Sequence, residues 1–200
     1  MINPEGGIVT LTRAALESDP SVVYFLDRHL RHDRCNAAWD RFALDNSGSH
    51  LLRESMAGYP ILEAMPPTLT GFYSSMYQSV LASGEPVCHE YECSSDTEYR
   101  LIHLRVLRNP TELGLILINS PVFTHPHGPE RPPHPPPGHV ETVSMCAHCR
   151  RTRLDHPPHD WVWVPDFVRN PPARVSHLIC NLCLAVNYPE VLIRRALKGR

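Results

Sequence analysis

The sequence predicts an α+β protein in which a five-stranded antiparallel sheet is flanked by helices and followed by a small zinc-binding module. Three observations support this. Short strands and helices alternate up to residue 120, prolines concentrate in residues 121–139, and two Cys-x-x-Cys pairs follow. We therefore expect a first domain at 1–120, a Pro/His-rich linker at 121–139 and a four-cysteine module at 140–200. The 200 residues, 42% of them apolar, are enough to bury a core.

Two short strands and a capped helix open the first domain. An apolar run at 22–26 predicts a strand, and a polar turn separates it from a second short strand at 32–35. Asn36 is a favourable helix N-cap. The helix that follows has an apolar side that includes Trp39 and Phe42.

A long helix follows an irregular stretch that is interrupted by glycine and proline. Thr70 is the expected cap of this helix, and Gly84 lies where a C-terminal cap would. Apolar residues at spacings of three and four predict the core-facing side: Phe72, Tyr73, Met76, Tyr77, Val80 and Leu81.

Three further strands complete the first domain. Residues 86–93 and 99–108 alternate between apolar and polar, and residues 113–119 form a nearly continuous apolar run. Because the loops between them are short, we expect an antiparallel meander in one sheet.

This order of elements resembles the PAS fold, a five-stranded antiparallel sheet cupped by helices around an internal pocket. The segments 22–27 and 35–39 are similar to the opening of a PAS domain, and 90–95, 99–100 and 114–118 resemble its later strands. PAS domains sense ligands or dimerise, and some bind haem, flavin or small organic acids. The resemblance implies a pocket of unidentified ligand, to which we assign Trp39, Phe42, His89, Tyr91, His103 and Ile116.

The linker is predicted from eight prolines and four histidines within residues 121–139. Proline lacks the N–H group that helices and sheet ladders need, so neither is expected here. We expect a semi-rigid, polyproline-like spacer, with few contacts between residues 1–120 and 140–200.

The four-cysteine module contains Cys146, Cys149, Cys180 and Cys183. A gap of two residues lets one tight turn bring both sulfurs to about 2.3 Å from a zinc ion, and two such turns supply four thiolates. Four thiolates leave no open position for water, so the zinc is predicted to be structural. His177 is expected to support a ligand or to replace one. A redox dithiol is the alternative interpretation of the pairs.

The module also resembles a short cysteine module at the end of some bacterial PAS-containing signalling proteins. The match covers Cys146 to Arg151, Trp161 or Trp163, and residues 176–183. Leu178 and Asn181 replace the usual glycine and proline of the second turn.

Charge divides unevenly along the chain, whose net charge is −2. Residues 1–120 contain 9 Lys/Arg and 15 Asp/Glu, whereas residues 121–200 contain 10 and 6. The excess of basic residues includes a short amphipathic helix predicted at the C-terminus. No apolar run reaches the roughly 20 residues that a membrane span needs, and no secretion signal is evident, so we expect a cytoplasmic protein without membrane contact.

The function predicted is a non-enzymatic signal-transduction module that senses a ligand or dimerises, with the zinc module contacting a protein partner. An enzyme is not expected, because the sequence contains no glycine-rich phosphate loop, nucleophile elbow or open metal site. A nucleic-acid-binding zinc protein in transcription regulation is one alternative, supported by Arg150, Arg151 and Arg153. A thiol-based redox sensor is the other.

Overall fold

A computed structural model describes residues 13–127, 142–154, 159–170 and 172–198. The chain divides into two compact units. The first comprises Met1–Leu62, Ser75–His89 and His103–Ser120, and the second comprises Glu63–Ser74, Glu90–Ile102 and Pro121–Arg200. Residues 128–139 of the predicted linker lie outside the described residues.

Among the described residues, nine helices and strands precede the linker region. In chain order they are α1 (Arg13–Ser18), β1 (Val22–Asp27), β2 (His32–Cys35), α2 (Ala37–Asp45), α3 (Arg53–Met56), α4 (Pro67–Ser83), β3 (Val87–Glu92), β4 (Glu98–Arg108) and β5 (Gly114–Pro126). Two 3₁₀ turns lie at Ser49–Leu51 and Ile61–Ala64. Of these elements, α1 is the one that the sequence did not indicate.

Strands β1 to β5 form one sheet in the order β2-β1-β5-β4-β3. Strand β1 pairs antiparallel with β2 and with β5, and its register with β5 runs from Val22 opposite Asn119 to Asp27 opposite Gly114. The central strands carry the core, because residues 23–26 and 114–119 are all buried. The predicted fold class, a five-stranded antiparallel sheet flanked by helices, is confirmed.

Asn36 caps helix α2 as predicted. Its side-chain oxygen accepts hydrogen bonds from Trp39 N at 3.3 Å and from Val23 N at 3.1 Å, and its side chain is almost completely buried. The cap therefore satisfies a donor of strand β1 as well as one at the helix N-terminus.

Helix α4 begins at Pro67, three residues before the predicted cap, Thr70. Proline suits the first helical turn, since no backbone N–H is needed there. The helix ends at Ser83, and Gly84 adopts a left-handed φ of 76°. Its fully buried side chains lie at spacings of three and four and are Leu69, Tyr73, Tyr77 and Val80, whereas Phe72, Met76 and Leu81 are half-buried.

Strand β5 continues to Pro126, into the residues for which we predicted a linker without helix or sheet. Only two of the eight prolines, Pro121 and Pro126, fall within this extension, and Pro126 is its last residue. Residues 121–126 are exposed, a setting in which a strand tolerates proline. The linker was predicted from the proline content of residues 121–139 as a whole, so the strand at the start of this range was not predicted.

The described residues after the linker region form seven elements: β6 (Val143–Cys146), β7 (Thr152–Arg153), β8 (Trp161–Val162), α5 (Asp166–Arg169), β9 (Val175–Leu178), α6 (Asn181–Asn187) and α7 (Pro189–Lys198). Their strands form a four-stranded sheet in the order β8-β7-β6-β9. Strand β6 pairs antiparallel with β7 and parallel with β9.

No helix among the described residues is long and apolar enough to cross a membrane.

Candidate metal centre

The four paired cysteines meet at one edge of the second sheet. Cys146 is the last residue of β6, and it lies opposite Leu178, the last residue of β9. Because β6 and β9 are parallel, both strands end at the same edge. The turn that follows β6 and the helix that follows β9 therefore start side by side.

The first pair is held by a tight turn. Arg150 N donates to Cys146 O at 2.9 Å, and Cys146 N donates to Arg151 O at 2.8 Å. Arg150 adopts a left-handed φ of 62°, which reverses the chain towards β7. Cys149 lies inside this turn, so its sulfur faces the same side as that of Cys146.

The second pair is held by a helix start. Cys180 is the N-cap of α6, and its Sγ accepts a hydrogen bond from Cys183 N at 3.4 Å. Residues three apart lie on one face of a helix, so Cys183 points towards the same space as Cys180.

The four sulfurs fit a tetrahedral metal ion. All four Sγ atoms lie within 4.8 Å of one another, and Cys149 Sγ is 3.7 Å from Cys180 Sγ. A zinc ion with Zn–S distances of about 2.3 Å separates its sulfur ligands by about 3.8 Å. The cysteines are between 0% and 9% exposed, and Cys180 N donates to Cys146 Sγ at 3.3 Å. Four buried cysteines in a closed group are the ligand set of structural zinc sites.

Hydrogen bonds between neighbouring thiols shift the pKa values of two cysteines in the cluster in opposite directions. Hydrogen bonds from the side chains of Cys149 and Cys183 lower the pKa of Cys146 to about 3. Hydrogen bonding to Cys146 raises the pKa of Cys183. A bound dication would stabilise all four side chains as thiolates.

The two histidines nearest in sequence to the pairs are not part of the sulfur group. His148 Nε2 lies 3.0 Å from Tyr188 Oη, and burial lowers the pKa of His148. His177 lies on β9, where its carbonyl accepts a hydrogen bond from Thr68 Oγ1 at 3.1 Å. Its Nδ1 is buried, with no hydrogen-bond partner among the described residues. A supporting role for His177 stays a prediction.

Residues before position 121 contact the four-cysteine region, contrary to our expectation of few such contacts. The ring of Phe72 lies edge-on to those of His148 and Tyr188, with centroids 5.5 and 5.4 Å away. Arg151 Nη1 donates to Glu92 Oε2 at 2.7 Å. All these residues belong to the second compact unit. Sequence reasoning missed Glu92, because nothing local indicates that an acid 59 residues before Arg151 is its partner.

No protein-family model matches the chain, and no curated protein does. Solved PAS domains are similar to it. The PAS domain of a Colwellia psychrerythraea protein is 14% identical and covers 55% of this chain and 92% of its own, with a TM-score of 0.42. That of Bordetella pertussis BvgS is 18% identical and covers 56% and 83%, with a TM-score of 0.44. That of the Cronobacter turicensis RpfR quorum-sensing receptor, in complex with C12:0, is 22% identical and covers 53% and 97%, with a TM-score of 0.39.

Five strands in one sheet, with helices between β2 and β3, are what the sequence resemblance implied, and the structure gives their order as β2-β1-β5-β4-β3. The fold is PAS-like.

The six residues predicted to line a PAS-like pocket have different surroundings. Ile116 is buried in the core, and Trp39 contacts the rings of Tyr24 and His32. A cavity of about 830 Å³ in the first unit is lined in part by Phe25, and none of the six residues lines it. The other residues are half-buried: Trp39, Phe42, His89, Tyr91 and His103. A role of these six residues in ligand binding stays a prediction.

Proposed function

We propose that the protein is a non-enzymatic, cytoplasmic signal-transduction module with a structural zinc centre formed by Cys146, Cys149, Cys180 and Cys183. The observation that carries this proposal is the group of four buried sulfurs within 4.8 Å in a chain with a PAS-like fold. A closed set of four thiolates holds zinc without an open position for water or substrate, so the ion stabilises structure rather than performing chemistry.

A protein partner or a second copy is the proposed contact of the zinc-binding region. Helices α6 and α7 both expose large apolar side chains. Exposed apolar patches of this kind are uncommon on proteins that have no partner. The fractional exposures exceed one half for Leu182, Val186, Ile193 and Leu197. The PAS-like sheet supports ligand sensing as the input, through the six pocket residues predicted above.

The two alternative functions, nucleic-acid binding and thiol-based redox sensing, receive less support from the arginines and cysteines that suggested them. Arg151, one of three arginines that favoured nucleic acid, is engaged by Glu92. A thiol redox sensor needs an accessible thiolate. Burial raises the pKa of Cys35 to about 12 and also raises the pKa of Cys93. Neither thiol is therefore suited to rapid oxidation.

Native mass spectrometry of the purified full chain tests the zinc centre. We expect one zinc ion per chain, and we expect Cys180→Ser to lose it because three thiolates hold zinc more weakly and leave the group open. Cys88→Ser is the matched control, since Cys88 is an exposed free cysteine. A wild-type chain that neither carries zinc nor binds added zinc would contradict the proposal.

A further inference from the structure

Arg151 joins the cysteine cluster to a distant strand. It directly follows Cys149 and Arg150 in the first tight turn, and its carbonyl accepts the hydrogen bond from Cys146 N at 2.8 Å that closes this turn. Its Nη1 also donates to Glu92 Oε2 at 2.7 Å. The side chains of Arg151 and Glu92 are only 25% and 14% exposed, so solvent screens this ion pair less than a surface pair.

Glu92 is itself fixed from its other side. It is the last residue of β3, and its Oε1 accepts a hydrogen bond from Tyr99 Oη at 2.8 Å. Tyr99 lies on β4, directly after the turn that joins the two strands. That turn is closed by backbone bonds from Cys93 N to Arg100 O and from Ser95 N to Glu98 O. We call residues 90–102 the β3–β4 hairpin.

The charge of a loaded metal centre gives Arg151 a role. Four thiolates and one zinc dication carry two negative charges in excess, and such centres depend on hydrogen-bond donors around the sulfurs. An arginine side chain stays protonated in proteins, so the guanidinium of Arg151 keeps its positive charge beside the Glu92 carboxylate.

We propose that Arg151 is a positioning residue that couples zinc occupancy to the order of the β3–β4 hairpin. This inference rests on the proposed zinc centre. When zinc holds Cys149 in place, Arg151 is oriented, and it in turn holds Glu92 and, through Glu92, Tyr99. When zinc is absent, the turn that carries Arg151 loosens and the hairpin loses its anchor.

A neighbouring arginine provides a matched control. Arg153 lies two residues further on, in β7, and its side chain is exposed. Among the described residues it has no carboxylate partner. Arg153→Gln removes the same charge from the same strand region without touching the contacts of Arg151.

The experiment compares full-length wild type, Arg151→Gln and Arg153→Gln by hydrogen exchange of the hairpin amides, with zinc and after its removal by a chelator. Zinc should slow exchange of the hairpin about tenfold or more in wild type and in Arg153→Gln. In Arg151→Gln this difference should disappear. Competition with a chromophoric chelator should show zinc binding weakened about tenfold or more in Arg151→Gln alone.

A zinc-dependent slowing that persists in Arg151→Gln would overturn the inference, while zinc binding by wild type would leave the proposed function standing. A wild type that binds no zinc would instead contradict the proposed function itself. If Arg151→Gln does not fold, Glu92→Gln serves the same test, because it keeps the shape of the side chain and removes the ion pair. Its hairpin should exchange independently of zinc, and a wild-type response would again overturn the coupling.

Discussion

Asn36 shows how one side chain can organise several segments. The amide nitrogen donates to the carbonyls of Leu16, Asp19 and Ser21, at 2.9–3.1 Å, while the oxygen caps α2. The sequence predicts the cap, because asparagine before an apolar helix is a local pattern. The three carbonyls could not be predicted, since they belong to a helix end and a turn that meet Asn36 only in the folded chain.

His32 is the residue at which stability should depend on pH. It is 1% exposed, and neither ring nitrogen has a hydrogen-bond partner among the described residues. Burial lowers its pKa, and the nearby charge of Asp33 only partly opposes this. The folded state therefore resists protonation that the unfolded state accepts below pH of about 6.5.

Stability from the neutral His32 is present above that pH and is lost as the pH falls towards the lowered pKa of the folded state. Urea unfolding of wild type should show this loss between pH 7 and pH 5, at no more than about 1.4 kcal/mol per pH unit. His32→Phe, which keeps an aromatic ring beside Tyr24 and Trp39, should lose less stability over the same range. His50→Gln, at an exposed position, should behave as wild type. Equal pH slopes for all three proteins would contradict this prediction.

At the scale of elements, two glycines should respond to alanine in opposite ways. A Cβ at Gly114, the first residue of β5, would lie 2.1 Å from Leu26 O of the paired strand. Either the β1–β5 pairing opens or the backbone shifts, so Gly114→Ala should reduce the free energy of unfolding by about 2–3 kcal/mol. A Cβ at Gly71, within α4, meets no atom within 4 Å.

Gly71→Ala should therefore stabilise the protein by about 0.5–1 kcal/mol, because alanine loses less backbone entropy than glycine on entering a helix. Urea unfolding of both variants against wild type measures the two changes. If both substitutions raised the free energy of unfolding, backbone entropy rather than the close approach of Gly114 to Leu26 O would decide the effect.

Elements with a local period were predictable, and pairings between distant segments were not. The alternation in β4 puts Ile102, Leu104 and Val106 on one face of the strand, and the structure shows that all three are buried. The cysteine spacing likewise indicated two turns that share an ion. The parallel pairing of β6 with β9 has no local signal, because a crossover separates the strands and β9 is only four residues long. The part of strand β5 beyond residue 120 was not predicted, because Pro121 and Pro126 belong to a proline-rich segment in which no strand was expected.

At the scale of the whole molecule, contacts between residues 63–74 and the four-cysteine region determine how far the effect of zinc loss should extend. An independent domain at 140–200, as predicted from the sequence, would unfold alone. The second compact unit, however, also contains Glu63–Ser74, in which Thr68 and Phe72 contact His177 and His148. Loss of the ion should therefore loosen this segment as well.

Hydrogen exchange of Cys180→Ser measures the extent of that loosening. We expect faster exchange at 63–74 and unchanged exchange at 22–26, which lie in the first unit. Cys88→Ser is again the control. Unchanged exchange at 63–74 would favour an independent module, and faster exchange at 22–26 would indicate a single cooperative structure.

The parallel pairing of β6 with β9 has a further consequence for how the chain reaches its native state. Its last register pair joins Cys146 to Leu178, so forming it closes a long loop before the sheet gains its hydrogen bonds. For a loop of roughly 30 residues, the length-dependent part of this entropy loss is about 3 kcal/mol. An ion bound by both cysteine pairs would close the same loop in the unfolded chain and shorten the search. The metal would then act as a reversible cross-link, and the pace of strand assembly would follow the supply of zinc.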